Sequence, residues 1–312
     1  MVKDLNKEYG IAKALRFELD EHGMARALIK TPAASAIIYL QGAHITHFQP
    51  KGEKPLLFLS SKSNFAPGKA IRGGIPLIYP WFGAKEDDPK APMHGFARTS
   101  PWQVNMAHLL GDTVAIQFAL DIPDHSSLRF HASVGAQLHI ELEAQNDSDA
   151  PLTFEEAFHS YFAVSDVRNV FIQGLSRTPF IDKTDQMSRK VDGDQALRLE
   201  AETDRVYVDT QATCRILDPS AKRCIKISKT QSASTVIWNP WSEKAGTMSD
   251  IGENEWQRMV CIETANAADN AITLEPGERH RMSASIGIEC FDPPALSAKM
   301  PHPQSRRMRR AG

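Results

Sequence analysis

Gln137-Leu138-His139-Ile140-Glu141-Leu142-Glu143-Ala144 is the stretch that decides the fold. Leu138, Ile140, Leu142 and Ala144 fall on one side of an extended chain, and polar residues fall on the other. That period of two belongs to a half-buried β-strand, not to a helix. Asn146-Asp147-Ser148-Asp149 follows directly and reads as a turn. The same alternation recurs at 36–40, 113–120, 224–228, 235–238, 260–263 and 281–288, with Pro276-Gly277 and other Asn, Asp or Pro breaks between the runs. Residues 109–112 and 121–127 read as loops. Long helical stripes are scarce, no internal repeat is visible, and no GxGxxG or Walker A pattern occurs. The chain therefore predicts an all-β protein: a large antiparallel β-sandwich with few short helices.

Composition supports a folded chain with ample core. Of 312 residues, 42% are hydrophobic and 24% charged, which separates it from disordered, collagen-like and coiled-coil classes. No linker divides it, so residues 1–290 are expected to form a single domain. The net charge of −2 hides a split. Lys299, Arg306, Arg307, Arg309 and Arg310 sit in the last sixteen residues, Ser297 to Gly312, which hold no acid, and removing those five charges leaves the remainder at −7. An acidic body argues against nucleic acid as the main ligand, and residues 291–312 read as a flexible basic tail. The N-terminus shows no signal-peptide pattern, and the longest uncharged stretch is broken by prolines, a glycine and polar residues, so no membrane partner is expected. Cys214, Cys224, Cys261 and Cys290 lack CxxC spacing and suggest reduced thiols in a cytoplasmic protein. A monomer is expected.

Three groups of residues could carry chemistry. Phe154-Glu155-Glu156-Ala157-Phe158-His159-Ser160-Tyr161-Phe162, read as one strand, sends Phe154, Phe158 and Phe162 to a core. The opposite face receives Glu155, Ala157, His159 and Tyr161, a polar surface that could line a binding site. His159 then stands either as a structural strand histidine or as a functional group. Cys261-Ile262-Glu263-Thr264 sets a carboxylate between small neighbours. Such a carboxylate is either an exposed strand residue or a compensated buried charge. Arg72-Gly73-Gly74 and His94-Gly95-Phe96-Ala97-Arg98 place two arginines in glycine-containing loops. They serve as surface charges or as a clamp for an anion, which the planar guanidinium grips with two hydrogen bonds. The eleven histidines show no HxxxH or HExxH spacing, so no metal site is expected. Nor is there a GxSxG elbow for a nucleophilic serine.

Taken together, these blocks resemble a known family. Ile71 through Gly83 is similar to the first signature of the D-hexose-6-phosphate mutarotases (glucose-6-phosphate 1-epimerases), within the aldose 1-epimerase superfamily. His94–Arg98 resembles their next block, and His159-Ser160-Tyr161-Phe162 the His-x-Tyr-Phe segment. Trp238-Asn239-Pro240-Trp241 through Met248-Ser249-Asp250, then Cys261–Thr264, resembles the C-terminal signature. The resemblance implies a galactose-mutarotase-like sandwich. It implies catalysis by His159 and Glu263, phosphate binding by Arg72 and Arg98, and sugar-hydroxyl contacts from His94 and Asp204. It implies a small sugar phosphate as partner and no cofactor. Met93 departs from the pattern, because some members carry glutamine there and a thioether cannot replace an amide.

The implied reaction interconverts α and β anomers. A base takes the C1 hydroxyl proton, an acid protonates the ring oxygen, the open aldehyde rotates, and closure reverses both transfers. Glu263 suits the base and His159 the acid, with a reference pKa near 6.5. Glu155, read on the same strand face, would favour the imidazolium. A free-aldose 1-epimerase and a non-catalytic carbohydrate-binding domain are the alternatives. Phosphate dependence separates the first, and the matched acid and base disfavour the second.

Overall fold

The computed structural model describes residues 1–85 and 87–290; the basic tail at 291–312 lies outside the described residues. Two eight-stranded sheets dominate, joined by a four-stranded sheet near the N-terminus and a two-stranded ribbon. Every pairing between strands is antiparallel. Among the described residues the α-helices are Val2–Glu8 and Trp241–Thr247, each seven residues long. This is the predicted antiparallel sandwich.

Leu138–Asn146 forms a strand whose Leu138, Ile140, Leu142 and Ala144 are buried. Covering a Leu or Ile side chain of this kind contributes roughly 1.5–3 kcal/mol. It pairs with Ser126–Val134 on one edge and Arg279–Glu289 on the other. The segments expected to be loops are shorter than predicted. Strand Gln103–Leu110 runs to within a two-residue turn of Thr113–Ile122, which in turn nearly meets Ser126–Val134. Hairpin pairing continues to the ends of these strands, past the point where alternation in sequence fades.

The other large sheet carries the residues of chemical interest. Its order is Ser188–Val191, Pro179–Asp182, Thr203–Tyr207, Ser234–Asn239, Met259–Asn266, Glu156–Phe158 and Leu77–Ile78, with Tyr161–Ala163 also paired to Met259–Asn266. Ser234–Asn239 and Met259–Asn266 are buried at every position, as befits central strands covered on both faces. One face packs against the opposing sheet. On the other face Ile78, Ala157, Val206, Val236 and Ala265 form a separate buried apolar cluster.

The stretch from Phe154 to Phe162 is not one strand. It is three, Leu152–Phe154, Glu156–Phe158 and Tyr161–Ala163, interrupted at Glu155 and at His159-Ser160. Phe154, Phe158 and Phe162 do enter the core. Glu156 shares their side and is wholly buried there. Its carboxylate Oε1 accepts from Asn266 Nδ2 at 2.9 Å and meets His280 Nε2 at 3.0 Å. His280 lies on the opposing sheet, so this polar contact ties the two layers together. Desolvation pulls the His280 pKa down, but the hydrogen bond and charge of Glu156 outweigh it and leave it above 6.5.

A raised histidine pKa stabilises the folded state fully below 6.5, and that contribution fades as pH climbs through the folded value. Glu156→Gln should therefore cost about 1–2 kcal/mol at pH 6 and measurably less at pH 9. Urea denaturation at the two pH values checks this, and an equal loss at both would contradict the charged pairing.

Candidate active site

Strand register brings His159 and Glu263 face to face. Phe158 opposes Thr264 and Tyr161 opposes Cys261, so the break between the two short strands sets His159 across from Glu263. Backbone bonds pin that break, with His159 N–H donating to Pro76 O, Tyr161 N–H to Gly74 O and Ile262 N–H to Ser160 O. His159 Nε2 lies 3.3 Å from Glu263 Oε1, with side-chain exposures of 8% and 1%. Tyr161 stacks on the imidazole at 4.8 Å and 11°, while His94 and Trp238 meet it edge-on at 5.5 and 6.0 Å. The ring has one orientation available.

Burial drives the electrostatics of this pair. Glu263 is flanked across the sheet by Val236 and, beyond it, Val206. Its pKa is pushed well above 4.5, first by desolvation and then by the charge of Asp204. The His159 pKa is driven well below 6.5 by desolvation, and by His94, Arg72 and Arg98. The shifts are opposite in direction, and each favours the uncharged form of its group. Glu263 Oε2 and His159 Nδ1 are buried without a hydrogen-bond partner among the described residues. Buried polar atoms are rarely left so.

His94 is held neutral, its pKa pushed down to about 3 by burial and by the charges of Arg98, Lys183 and Arg72. Its Nδ1 accepts the Gly83 backbone N–H at 3.1 Å. That bond fixes the tautomer and leaves Nε2–H as the donor. Gly95, at φ 69°, permits this turn; an added Cβ would collide with the Tyr79 carbonyl.

The arginines differ sharply. Arg72 grips Asp250 through Nε at 3.0 Å and Nη2 at 2.9 Å, and its Nη1 donates to the Tyr161 hydroxyl at 2.8 Å. Gly74, at φ 64°, lets its loop press against the strand His44–Pro50, where a side chain would strike the Ile45 carbonyl. Arg98 donates to the Met93 carbonyl at 2.6 Å, and no carboxylate among the described residues comes within ion-pair distance of it. Burial and Arg72 lower its pKa, while Tyr161 and Asp250 oppose them. Arg98 is half-buried, so a guanidinium partly removed from water and without a paired carboxylate is favourably placed to receive an anionic ligand. Met93 thus contributes through its backbone, and its side chain is exposed.

Asp204 sits at the far side of Glu263, and burial raises its pKa. Lys183 Nζ is 3.7 Å away. All six residues singled out from sequence, Arg72, His94, Arg98, His159, Asp204 and Glu263, therefore meet around one patch of the sheet. Glu155 does not join them. Its two carboxylate oxygens accept the backbone N–H groups of Phe82 and Ala268, both at 2.7 Å. The expectation that it would charge His159 fails, because the strand breaks at Glu155 and sends that side chain elsewhere.

Sequence reading missed Asp250, Lys183 and the stacking role of Tyr161. Asp250 stands in the Met248-Ser249-Asp250 block, which marked the position without its partner. Lys183 follows the strand Pro179–Asp182 with no local signal. Histidine spacing also gave no hint that His159, Cys261 and Glu263 bring possible ligand atoms within 4.8 Å of one another. Burial raises the Cys261 thiol well above its usual value of 9, so it stands beside the pair as an uncharged group.

The sheet face thus holds a desolvated carboxyl against an imidazole, with His94, Arg72, Arg98, Asp204 and Lys183 around them, a grouping able to exchange protons with a small polar molecule. The pattern of the Aldose 1-epimerase family matches residues 26–287, and the chain belongs to that family. A protein of Escherichia coli K12, provisionally named glucose-6-phosphate 1-epimerase, is 34% identical over 281 residues, covering 88% of this chain and 92% of its own. One from Cenchrus ciliaris with the same provisional name is 32% identical over 283 residues, covering 81% and 85%. A Salmonella typhimurium crystal structure, described as a provisional mutarotase, superposes with TM-score 0.83 at 30% identity, covering 90% of this chain and 95% of that one. A galactose mutarotase related enzyme of Lactobacillus acidophilus shares the fold at 14% identity and TM-score 0.68, covering 85% and 98%.

The electrostatics are open to a direct check. In ligand-free protein, nitrogen NMR of His159 should report a neutral ring at pH 6.5 that protonates only well below it. An inflection at or above 6.5 would show that the surrounding charges and burial do not act as described.

Proposed function

We propose that this protein interconverts the α and β anomers of a hexose 6-phosphate, glucose 6-phosphate being the expected substrate. The observation that carries the reading is the contact between a buried carboxyl and a buried imidazole whose pKa values are pushed in opposite directions, together with a half-buried arginine that has no carboxylate partner among the described residues. The names carried by its relatives point the same way.

The chemistry follows from the pair. Ring opening needs Glu263 ionised and His159 charged; it ends with Glu263 protonated and His159 neutral. Both arrangements hold one proton, and the 3.3 Å contact allows it to pass directly between them. Ring closure runs both transfers backwards and restores ionised Glu263 and charged His159, so a full turnover needs no proton exchange with water. Each positioned transfer is worth about 10²–10⁴-fold. Glu263 Oε2 and His159 Nδ1 add unused polar capacity around the same pair.

Phosphate has a second task beyond anchoring. Arg72 and Arg98 are among the causes that hold the His159 pKa down. A phosphate dianion seated on them offsets that field and eases the imidazole toward its charged form. Substrate binding and acid strength are then linked, so the distant group contributes to the reacting centre. Arg98 would carry most of the anion's charge, because Arg72 is already neutralised by Asp250.

Two sets of variants test this by anomer-resolved NMR exchange. Glu263→Gln and His159→Ala should each lower kcat by about 10²–10⁴-fold; full activity in either removes it from the mechanism. Arg98→Ala should raise KM for glucose 6-phosphate by about 10- to 100-fold, the loss of one charge-assisted contact at 1.5–3 kcal/mol. Arg72→Ala should act similarly but less, and free glucose should respond little to either. Equal small effects on both sugars would favour a free-aldose epimerase.

A further inference from the structure

We propose that Lys183, paired with Asp204, reads the substituent on C2 of the sugar and selects against one that is positively charged. The inference rests on the proposed function and goes beyond it by naming a residue that determines which sugars are accepted.

Topology supplies the argument. Glu263 lies between two groups of side chains on the same sheet face. On one side, across the strand break, come His159, Tyr161 and then Arg72 with Asp250. On the other side, Trp238 opposes Cys261, and Asp204 opposes Trp238 on the next strand. Lys183 follows Asp182 at the end of the strand after that, and its backbone N–H donates to the Asp204 carbonyl at 2.8 Å.

A pyranose has the same two-sided arrangement about C1. One ring neighbour of C1 is the ring oxygen, which leads to C5 and its C6 phosphate. The other is C2. With Glu263 at the C1 hydroxyl and His159 at the ring oxygen, the arginine side receives C5 and C6. C2 then faces Asp204 and Lys183. The reach of the charges agrees with this order. Arg72 and Arg98 act on His159, which neither Asp204 nor Lys183 does, whereas Asp204 and Lys183 act on Glu263 ahead of Arg98.

The pair is built to hold one arrangement. Lys183 Nζ is 3.7 Å from Asp204 Oδ2 and 5.3 Å above the Phe82 ring, and Phe82 packs edge-on against His94 at 5.0 Å. Side-chain exposures of 29% for Lys183 and 16% for Asp204 leave both polar ends within reach of a ligand. Asp204 alone would attract a cation. Lys183 occupies that role already, so the pair presents one donor and one acceptor, a match for a hydroxyl. A protonated amine in the same place meets the lysine ammonium as a like charge.

The test compares glucose 6-phosphate with 2-amino-2-deoxyglucose 6-phosphate by NMR anomer exchange at pH 6.5, using wild type, Lys183→Met, Lys183→Gln and Lys183→Arg. Wild type should favour the hydroxyl sugar. Lys183→Met should move the ratio of kcat/KM toward the amino sugar by about tenfold or more, the scale of like-charge repulsion in a half-exposed site. Lys183→Gln should move it in the same direction and gives the result if the methionine variant does not fold. Lys183→Arg, which keeps the charge, should stay within about twofold of wild type. An unchanged ratio in the neutral variants, or an equal shift in Lys183→Arg, overturns the assignment and leaves the proposed function standing. Absence of any catalysed exchange by wild type is the distinct failure of the proposed function, and takes this inference with it.

Discussion

The contact between Glu263 Oε1 and His159 Nε2, 3.3 Å apart and shielded from water, constrains everything around it. A charged carboxylate at 1% exposure is costly, as is an isolated imidazolium, so burial pushes each group toward its uncharged form. Maintaining that state requires apolar neighbours at Val206 and Val236, a fixed ring at His159, and charges placed on either flank. Tyr161 serves both ends of this arrangement. Its ring stacks on His159 and its hydroxyl accepts from Arg72, so the anion-binding side and the proton-transfer pair share one support.

The two arginines show how the same residue type can be spent differently. Arg72 is saturated by Asp250 and Tyr161, which orients it at the cost of its free charge. Among the described residues Arg98 bonds to a backbone carbonyl and meets no carboxylate, so its charge is not offset. A site composed this way is primed for a dianion, with one guanidinium fixing position and the other supplying attraction. The opposite flank, with Asp204 and Lys183, is balanced in charge and suited to hydroxyls.

Much of this was legible in the sequence, for identifiable reasons. Alternation at Leu138–Ala144 revealed a half-buried strand, because a period of two survives wherever one face is solvated. The strand Met259–Asn266 gave a weaker pattern, being buried on both faces. Glu263 and His159 could be named from their blocks, but their contact depends on register between segments about a hundred residues apart, which local patterns do not encode. Glu155 misled for a related reason: alternation assumes an unbroken strand, and the chain breaks there so that its carboxylate can satisfy two backbone N–H groups. Its neighbour Glu156 faces the core and requires His280 from the other sheet, a pairing with no local signature. Lys183 and Asp250 act only through partners distant in sequence.

A structure of the protein with glucose 6-phosphate bound tests the central claim most directly. The account predicts C1 within hydrogen-bond reach of Glu263 through its hydroxyl, the ring oxygen facing His159, and the phosphate on Arg98 and Arg72. A sugar seated away from the acid–imidazole pair, or a phosphate that avoids Arg98, would contradict it.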